Sequence, residues 1–242
     1  MQTKVIGGSG PNVFHTGAEQ AVDPFFQAAR VALRPLDYSG VGTVYGHYAV
    51  AQKSGATVSI GALGHVARLR WSPTMSNLYC VLLKLRIGWI VTGAVTAATP
   101  MDFDASIARA FTVDYSTNIS LVNLATAVNT NQMRGSMAPS QMGASGPGIC
   151  TTSAISGQSL VLDNAPFAIT TFANQPSGNG TVTQAVGVGA PMQTLYDVTS
   201  AGQHPVVLGN NEGIVVREVT AGVTSGSVAI YCEWTWCECL VF

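Results

Sequence analysis

A chain of 242 residues with 47% hydrophobic but only 10% charged side chains is long enough to bury one large core, and its charged fraction is well under that of ordinary soluble domains. The formal net charge of −1 and pI near 6.4 exclude recognition of nucleic acid through its phosphates, which needs clustered lysine and arginine. Across residues 115–211 the only charged side chains are Arg134, Asp163 and Asp197; the polar positions hold hydroxyls and amides, which cost far less to desolvate than ions and so suit permanent subunit contacts.

In chain order, residues 1–11 are polar and glycine-rich, without the apolar run of a secretory signal. Residues 1–22 read as an extended arm ordered against a neighbour, and residues 23–242 as a single domain. Asp23-Pro24 is a helix-start pair that puts Phe25, Ala29 and Leu33 on one face before Pro35; a short helix and an extended segment are both open there. Gly40, Gly42 and Gly46 among Tyr45, His47 and Tyr48 predict bent strands rather than a phosphate loop, because no strand-to-helix transition with a following acid surrounds them. Residues 56–60 and 65–71 alternate as further strands. The basic stretch from Arg68 to Arg86 is diluted by apolar residues and reads as strand carrying solvated or interface charges. Lys84 and Arg86 interrupt the most hydrophobic region, residues 78–99, leaving too little for the roughly 20 residues of a membrane helix. Within it Val81, Leu83, Leu85, Ile87, Trp89 and Val91 alternate strictly with Lys84, Arg86 and Gly88 among the intervening positions, which marks a strand.

Pro100 and Asp102 precede Phe103, Ile107 and Phe111. That four-residue spacing predicts a short amphipathic helix, with Asp102 and Asp104 opposing the dipole at its start, followed by strand over 111–115. Long loops are expected around 116–158, where Met133, Met137 and Met142 would fill gaps at a contact. Strands resume at 159–162, 168–172, 181–188 and 193–198, with Gly178-Asn179-Gly180 as one of the turns. Two more, 213–219 and 227–239, flank a glycine-containing loop. In the last strand Val228, Ile230, Cys232, Trp234 and Trp236 share one face, while Ala229, Tyr231, Glu233, Thr235, Cys237 and Cys239 share the other. Many short strands mean an all-β sandwich, with a jelly roll as the expected form, plus the arm and one or two short helices.

The four histidines, His15, His47, His65 and His204, are scattered without an acid or cysteine at metal-ligand spacing, and no nucleophile elbow, Walker sequence or zinc pattern is present. No catalytic, cofactor-binding or metal residue is therefore nominated. Five cysteines, Cys80, Cys150, Cys232, Cys237 and Cys239, are an odd number in a chain too large to need a disulfide scaffold. If the tryptophans occupy the core, Cys237 and Cys239 look outward; the pair reads as plain buried or idle thiols, as partners in an intersubunit disulfide, since a bridge between the two would strain the strand, or as metal ligands. With Phe14, Phe25, Phe26, Met133, Met137 and Met142 they make up the candidate interface. The sequons at Asn118 and Asn179 carry little weight without a secretory signal.

The phrases Arg34-Pro35-Leu36, Ala67-Arg68-Leu69-Arg70-Trp71-Ser72, Ala108-Arg109-Ala110-Phe111-Thr112-Val113-Asp114-Tyr115, Gly213-Ile214-Val215-Val216-Arg217 and Ala229-Ile230-Tyr231-Cys232-Glu233-Trp234, in that order, resemble virion structural proteins of tailed bacteriophages over about residues 30–236. The cysteine-rich ending departs from the plainer acidic and apolar ending of such proteins. The resemblance implies a jelly-roll-like decoration or cement protein, made in the host cytoplasm and placed on the outer surface of the head. Such a protein is a homo-oligomer, a trimer by expectation. It binds the major capsid protein or other virion proteins, with no direct nucleic acid, no membrane and no cofactor, and it is not an enzyme. Two rivals are a tail, collar or fibre component that stacks host carbohydrate on Tyr45 and Tyr48, and a jelly-roll major capsid protein.

Overall fold

The computed structural model describes residues 5–7, 13–15, 44–75, 77–95, 100–125, 139–172, 189–199, 204–223 and 225–240, the first two segments and residues 44–45 by backbone alone. Near the start, β1 (Val5–Gly7) pairs antiparallel with β2 (Val13–His15). The body is built of β3 (Val44–Lys53), β4 (Gly64–Trp71), β5 (Tyr79–Gly93), β6 (Asp102–Val113), β7 (Ile119–Leu121), β8 (Gly148–Cys150), β9 (Ser159–Leu162), β10 (Ala168–Thr171), β11 (Gly189–Asp197), β12 (Val206–Leu208), β13 (Glu212–Glu218) and β14 (Ser227–Cys239), with one 3₁₀ turn at Gly143–Ser145. Among the described residues there is no α-helix, and hence none long and apolar enough to cross a membrane.

The strands form two antiparallel sheets. One runs β11-β5-β14-β3, with β12 continuing the β11 edge along β5; the other runs β10-β6-β13-β4-β8-β7, with β9 continuing the β10 edge along β6. Apart from the β7-β8 excursion, the chain passes from β3 to β4 to β5 to β6 by switching sheets each time, enters the β9-β10 edge, crosses to the β11-β12 edge, and switches again through β13 to β14. The late strands β13 and β14 slot between early ones, at β4-β13-β6 and β3-β14-β5. Two sheets of four principal strands rolled up in this order make a jelly roll. The excursion between β6 and β9 widens the second sheet past β4 with β7 and β8.

The inner faces follow the period-two alternation of the sequence. Val228, Ile230, Cys232, Trp234 and Trp236 of β14 are all buried, and they lie side by side with their cross-strand partners Val91, Trp89, Ile87, Leu85 and Leu82 of β5 on one inner face of the core cluster. Phe172 links the two sheets, standing edge-on to Trp89 of β5 (6.4 Å) and to Phe103 of β6 (5.9 Å), while within the first sheet Tyr48 of β3 stacks on Trp236 of β14 at 5.5 Å. Removing each such side chain from water contributes about 1.5–3 kcal/mol. The edges are stitched by polar side chains: Thr170 Oγ1 donates to Gln193 Oε1 at 2.8 Å, and Gln52 Nε2 donates to Pro147 O at 3.1 Å.

The helix expected over 102–111 does not form; those residues are central strand β6, hydrogen-bonded to β13 along one edge and to β9 and β10 along the other. A spacing of four residues satisfies a two-residue period as well as a helical one. Phe103, Ala105 and Ile107 thus pack toward the core while Asp104 turns away from it, and at Ala110 the backbone takes φ 47°, after which Phe111 stands edge-on to Tyr115 at 5.8 Å. The alternating run at 56–60 is loop, joined to β14 by a single bridge at Thr57. The helix-or-arm segment after Asp23 and the strand expected at 181–188 lie outside the described residues.

Candidate interaction surface

The charged side chains of the body are turned onto the protein itself. Arg217 of β13 lies opposite Asp104 of β6 in the sheet register, and its guanidinium grips that carboxylate with Nε (2.9 Å) and Nη2 (2.6 Å) while Nη2 also reaches Ser106 Oγ. Arg68 of β4 is fully buried; it binds Asp114 Oδ2 at 2.5 Å and donates to the carbonyls of Ser145 and Gly146. Burial pulls its pKa down to about 10, with Asp114 opposing the drop, so it stays charged at neutral pH and pins the excursion to the sheet. The reading of Arg68 as a solvated or interface charge is thereby corrected.

Beside it, the Tyr115 hydroxyl and His65 Nδ1 share a 2.5 Å hydrogen bond, their rings set edge to face. Desolvation, aided by the Arg217 charge and opposed by Asp104, brings His65 down to about 4, and burial raises Tyr115. Both are neutral at physiological pH and act as a structural clasp. On the inner side Glu238, fully buried, accepts from Ser140 Oγ (2.5 Å), the Gln141 amide (3.0 Å) and Trp236 Nε1 (3.2 Å). It ties residues 140–141 to the last strand; burial raises its pKa against the pull of those three donors.

The remaining cations follow the same rule. Arg109 binds Asp163 and Glu212, Arg86 binds Glu233, and Lys84 binds Asp197. Arg70 donates to the Phe111 and Thr112 carbonyls, and Lys53 stands over the Tyr231 ring. Every described lysine and arginine thus has a partner within the chain. Some of these pairs are exposed, such as Arg109–Asp163 at 46% and 38%, but their charges are matched within the chain, and the exposed large apolar side chains are Val58, Leu63, Met75, Tyr79, Val113, Leu121, Val161 and Ile169. Among the described residues no group of three or more His, Cys, Asp or Glu side chains is arranged to hold a metal ion.

The nominated residues fare differently. Cys237 and Cys239 do lie on the face of β14 opposite Trp234 and Trp236, but they do not look outward. Both are buried, in a second apolar cluster with Val81 that Leu83 and Val207 pack against. The remaining cysteines are buried as well, and all five are free thiols; burial raises Cys80 and Cys232, and lifts Cys150 to about 12. Met142 is a core residue at 5% exposure, not a surface gap-filler. Asp104 is an ion-pair partner in a strand, not a helix cap. Tyr48 is buried in the core against Trp236 and offers no face to a sugar. Phe14 sits in β2 opposite Ile6, and Phe25, Phe26, Met133 and Met137 lie outside the described residues. The surface that the sequence did not nominate is the loop between β3 and β4, with Val58 and Leu63 exposed. Its one sequence signal was an apolar run bounded by glycines, which reads equally well as a buried strand.

Comparison with protein-family models, with curated proteins and with solved structures finds no match to this chain.

Proposed function

We propose that the chain is a structural subunit of a tailed-bacteriophage particle, a decoration or cement protein that assembles with its own copies and binds the major capsid lattice on the outside of the head, without enzymatic activity. The observation that carries this reading is the inward use of charge: a jelly roll whose described cations are all engaged internally meets its partners through hydroxyls, amides and apolar groups. Such contacts are individually modest, and repetition over a symmetric shell multiplies them. Buried thiols and the neutral His65-Tyr115 clasp hold the fold together rather than present reactive groups to a substrate.

The test is cosedimentation of the purified protein with heads of the virus that encodes it, lacking their own copy. Saturable binding at a fixed ratio to the major capsid protein, retained in about 1 M salt where surface ion pairs are screened, supports the reading; no binding removes it. A jelly-roll major capsid protein is the second reading, favoured by the strand order of the two sheets, and closed shells formed by this chain alone would select it.

A further inference from the structure

Two glutamates are buried in the body with opposite surroundings. Glu238 has three donors for its carboxyl group, whereas Glu218, at the end of β13 and 1% exposed, has none on Oε1 among the described residues. Its cover is backbone rather than side chain. The loop that follows β13, residues 219–223, folds back so that Gly222 lies on the carboxyl, and a methyl group added there would stand 2.7 and 2.8 Å from its two oxygens. Only glycine permits that approach.

No cation stands ready to stabilise the ionised form. Residues 54–63 and 219–223 contain no ionisable side chain. Asp102 of β6, whose Oδ1 is itself buried without a partner, acts on Glu218 as a like charge, and the Cys150 thiol of β8 is raised in turn by Glu218. Arg217, one residue back along β13, is held by Asp104 on the opposite face of the sheet, beside the neutral His65. Burial first, then the Asp102 charge, raises Glu218 to about 8. At neutral pH the carboxyl is therefore protonated beneath its loop.

This loop and the tip of the β3–β4 connection hold one another. Gly222 N donates to Ile60 O at 2.7 Å and Ser59 N to Val223 O at 2.8 Å, and the Ile60 and Val223 side chains are both buried. The tip is strained in that position, because Ser59 and Leu63 take left-handed backbone at φ 52° and 57°, which is disfavoured for a bulky residue. An ionised carboxyl needs a donor or water. Neither reaches Glu218 while the Gly222 amide is given to Ile60 and the loop stays down; lifting the loop admits water and frees the strained tip together.

We infer that Glu218 in its neutral form latches residues 219–223, and that loss of its proton lets this loop and the β3–β4 tip at 58–63 part from each other as a local unit while the sheets stay folded.

The sign follows from the two environments. A carboxyl near 8 when latched and at its ordinary 4.5 when released holds its proton more tightly in the latched state. Raising the pH therefore favours release, by about tenfold per unit between about pH 5 and 7.5, and no further beyond about pH 8.5. Amide exchange on the purified full chain reads this directly. Protection of the Gly222 and Ser59 amides, which report the two bonds between loop and tip, should fall about tenfold per pH unit across that range in wild type and stay constant in Glu218→Gln. Both amides should also exchange faster than those of Ile87 and Cys232 in the central strands, as local opening requires. Protection independent of pH in wild type, the same fall in Glu218→Gln, or rates that coincide with those of the central strands would overturn the latch. Glu218→Met, similar in length and unable to ionise, replaces Glu218→Gln if that variant does not fold, and a pH-independent wild type overturns the latch without either.

Discussion

At Arg68 the chain places a full positive charge where water cannot reach it, and the surrounding structure is arranged to compensate that charge. Removing one partner of a buried pair leaves the other uncompensated, so Arg68→Ala should destabilise the protein by about 3–5 kcal/mol in urea denaturation. Arg86→Ala breaks a pair that is 34% and 31% exposed and should cost about 0–1 kcal/mol. Equal losses for the two would contradict the assignment of Arg68 as the internal fastener. Glu218 gives a pH signature. It is 1% exposed with Oε1 unpartnered, and burial followed by the Asp102 charge raises its pKa to about 8. A carboxyl raised from 4.5 to about 8 in the fold is protonated there while the unfolded chain has ionised. Its contribution is full below about pH 4.5 and is lost as pH rises through about 8. Glu218→Gln should therefore gain in melting temperature relative to wild type as pH rises across that window; a constant difference would rule out the shift. Burial of all five thiols predicts no reaction with a thiol reagent until the protein unfolds, and monomer bands with or without reductant. Rapid labelling of Cys237 or Cys239 in the native state would contradict their placement.

At the scale of elements, strands were legible wherever alternation ran long or turn residues bounded it: β5, β9 and β14 lie within a residue or two of where the pattern puts them. The failures share a cause. Phe103, Ile107 and Phe111 fit two periods, and the decision between them came from β13 and β10, which lie far away in sequence. The short strands β7, β8 and β12 are three residues each, too short to show a period, and exist because β4 offers an edge to β8, β8 to β7 and β5 to β12. For Cys237 and Cys239, alternation gave the correct face and the wrong exposure, since a period says which way a side chain turns and not what lies over it. The excursion between β6 and β9 depends in the same way on distant residues. Glu238→Ala, which leaves β14 in register but removes the acceptor for Ser140 and Gln141, should speed amide exchange in residues 140–146 and cost about 1–3 kcal/mol. Exchange confined to β14 would show that the tie does not hold the excursion.

For the whole molecule, the low charge content was the most informative feature of the sequence, but its meaning needed the fold. Composition indicated an exterior that is easily desolvated; only the pairing of Arg68 with Asp114, Arg217 with Asp104 and Arg109 with Asp163 and Glu212 explained how few free ions the described surface keeps. Residue spacing gave no hint of the strained tip at Ser59 and Leu63, because a left-handed leucine has no sequence signature. The central claim is that this jelly roll pairs its charges within its own chain and meets its partners without them. The most direct measurement is its self-association constant by sedimentation equilibrium between about 0.05 and 1 M sodium chloride, a range over which the screening length falls from over 10 Å to about 3 Å. The account predicts a constant that changes by less than about twofold; a fall of about tenfold or more would show that ionic contacts hold the assembly together and would contradict it.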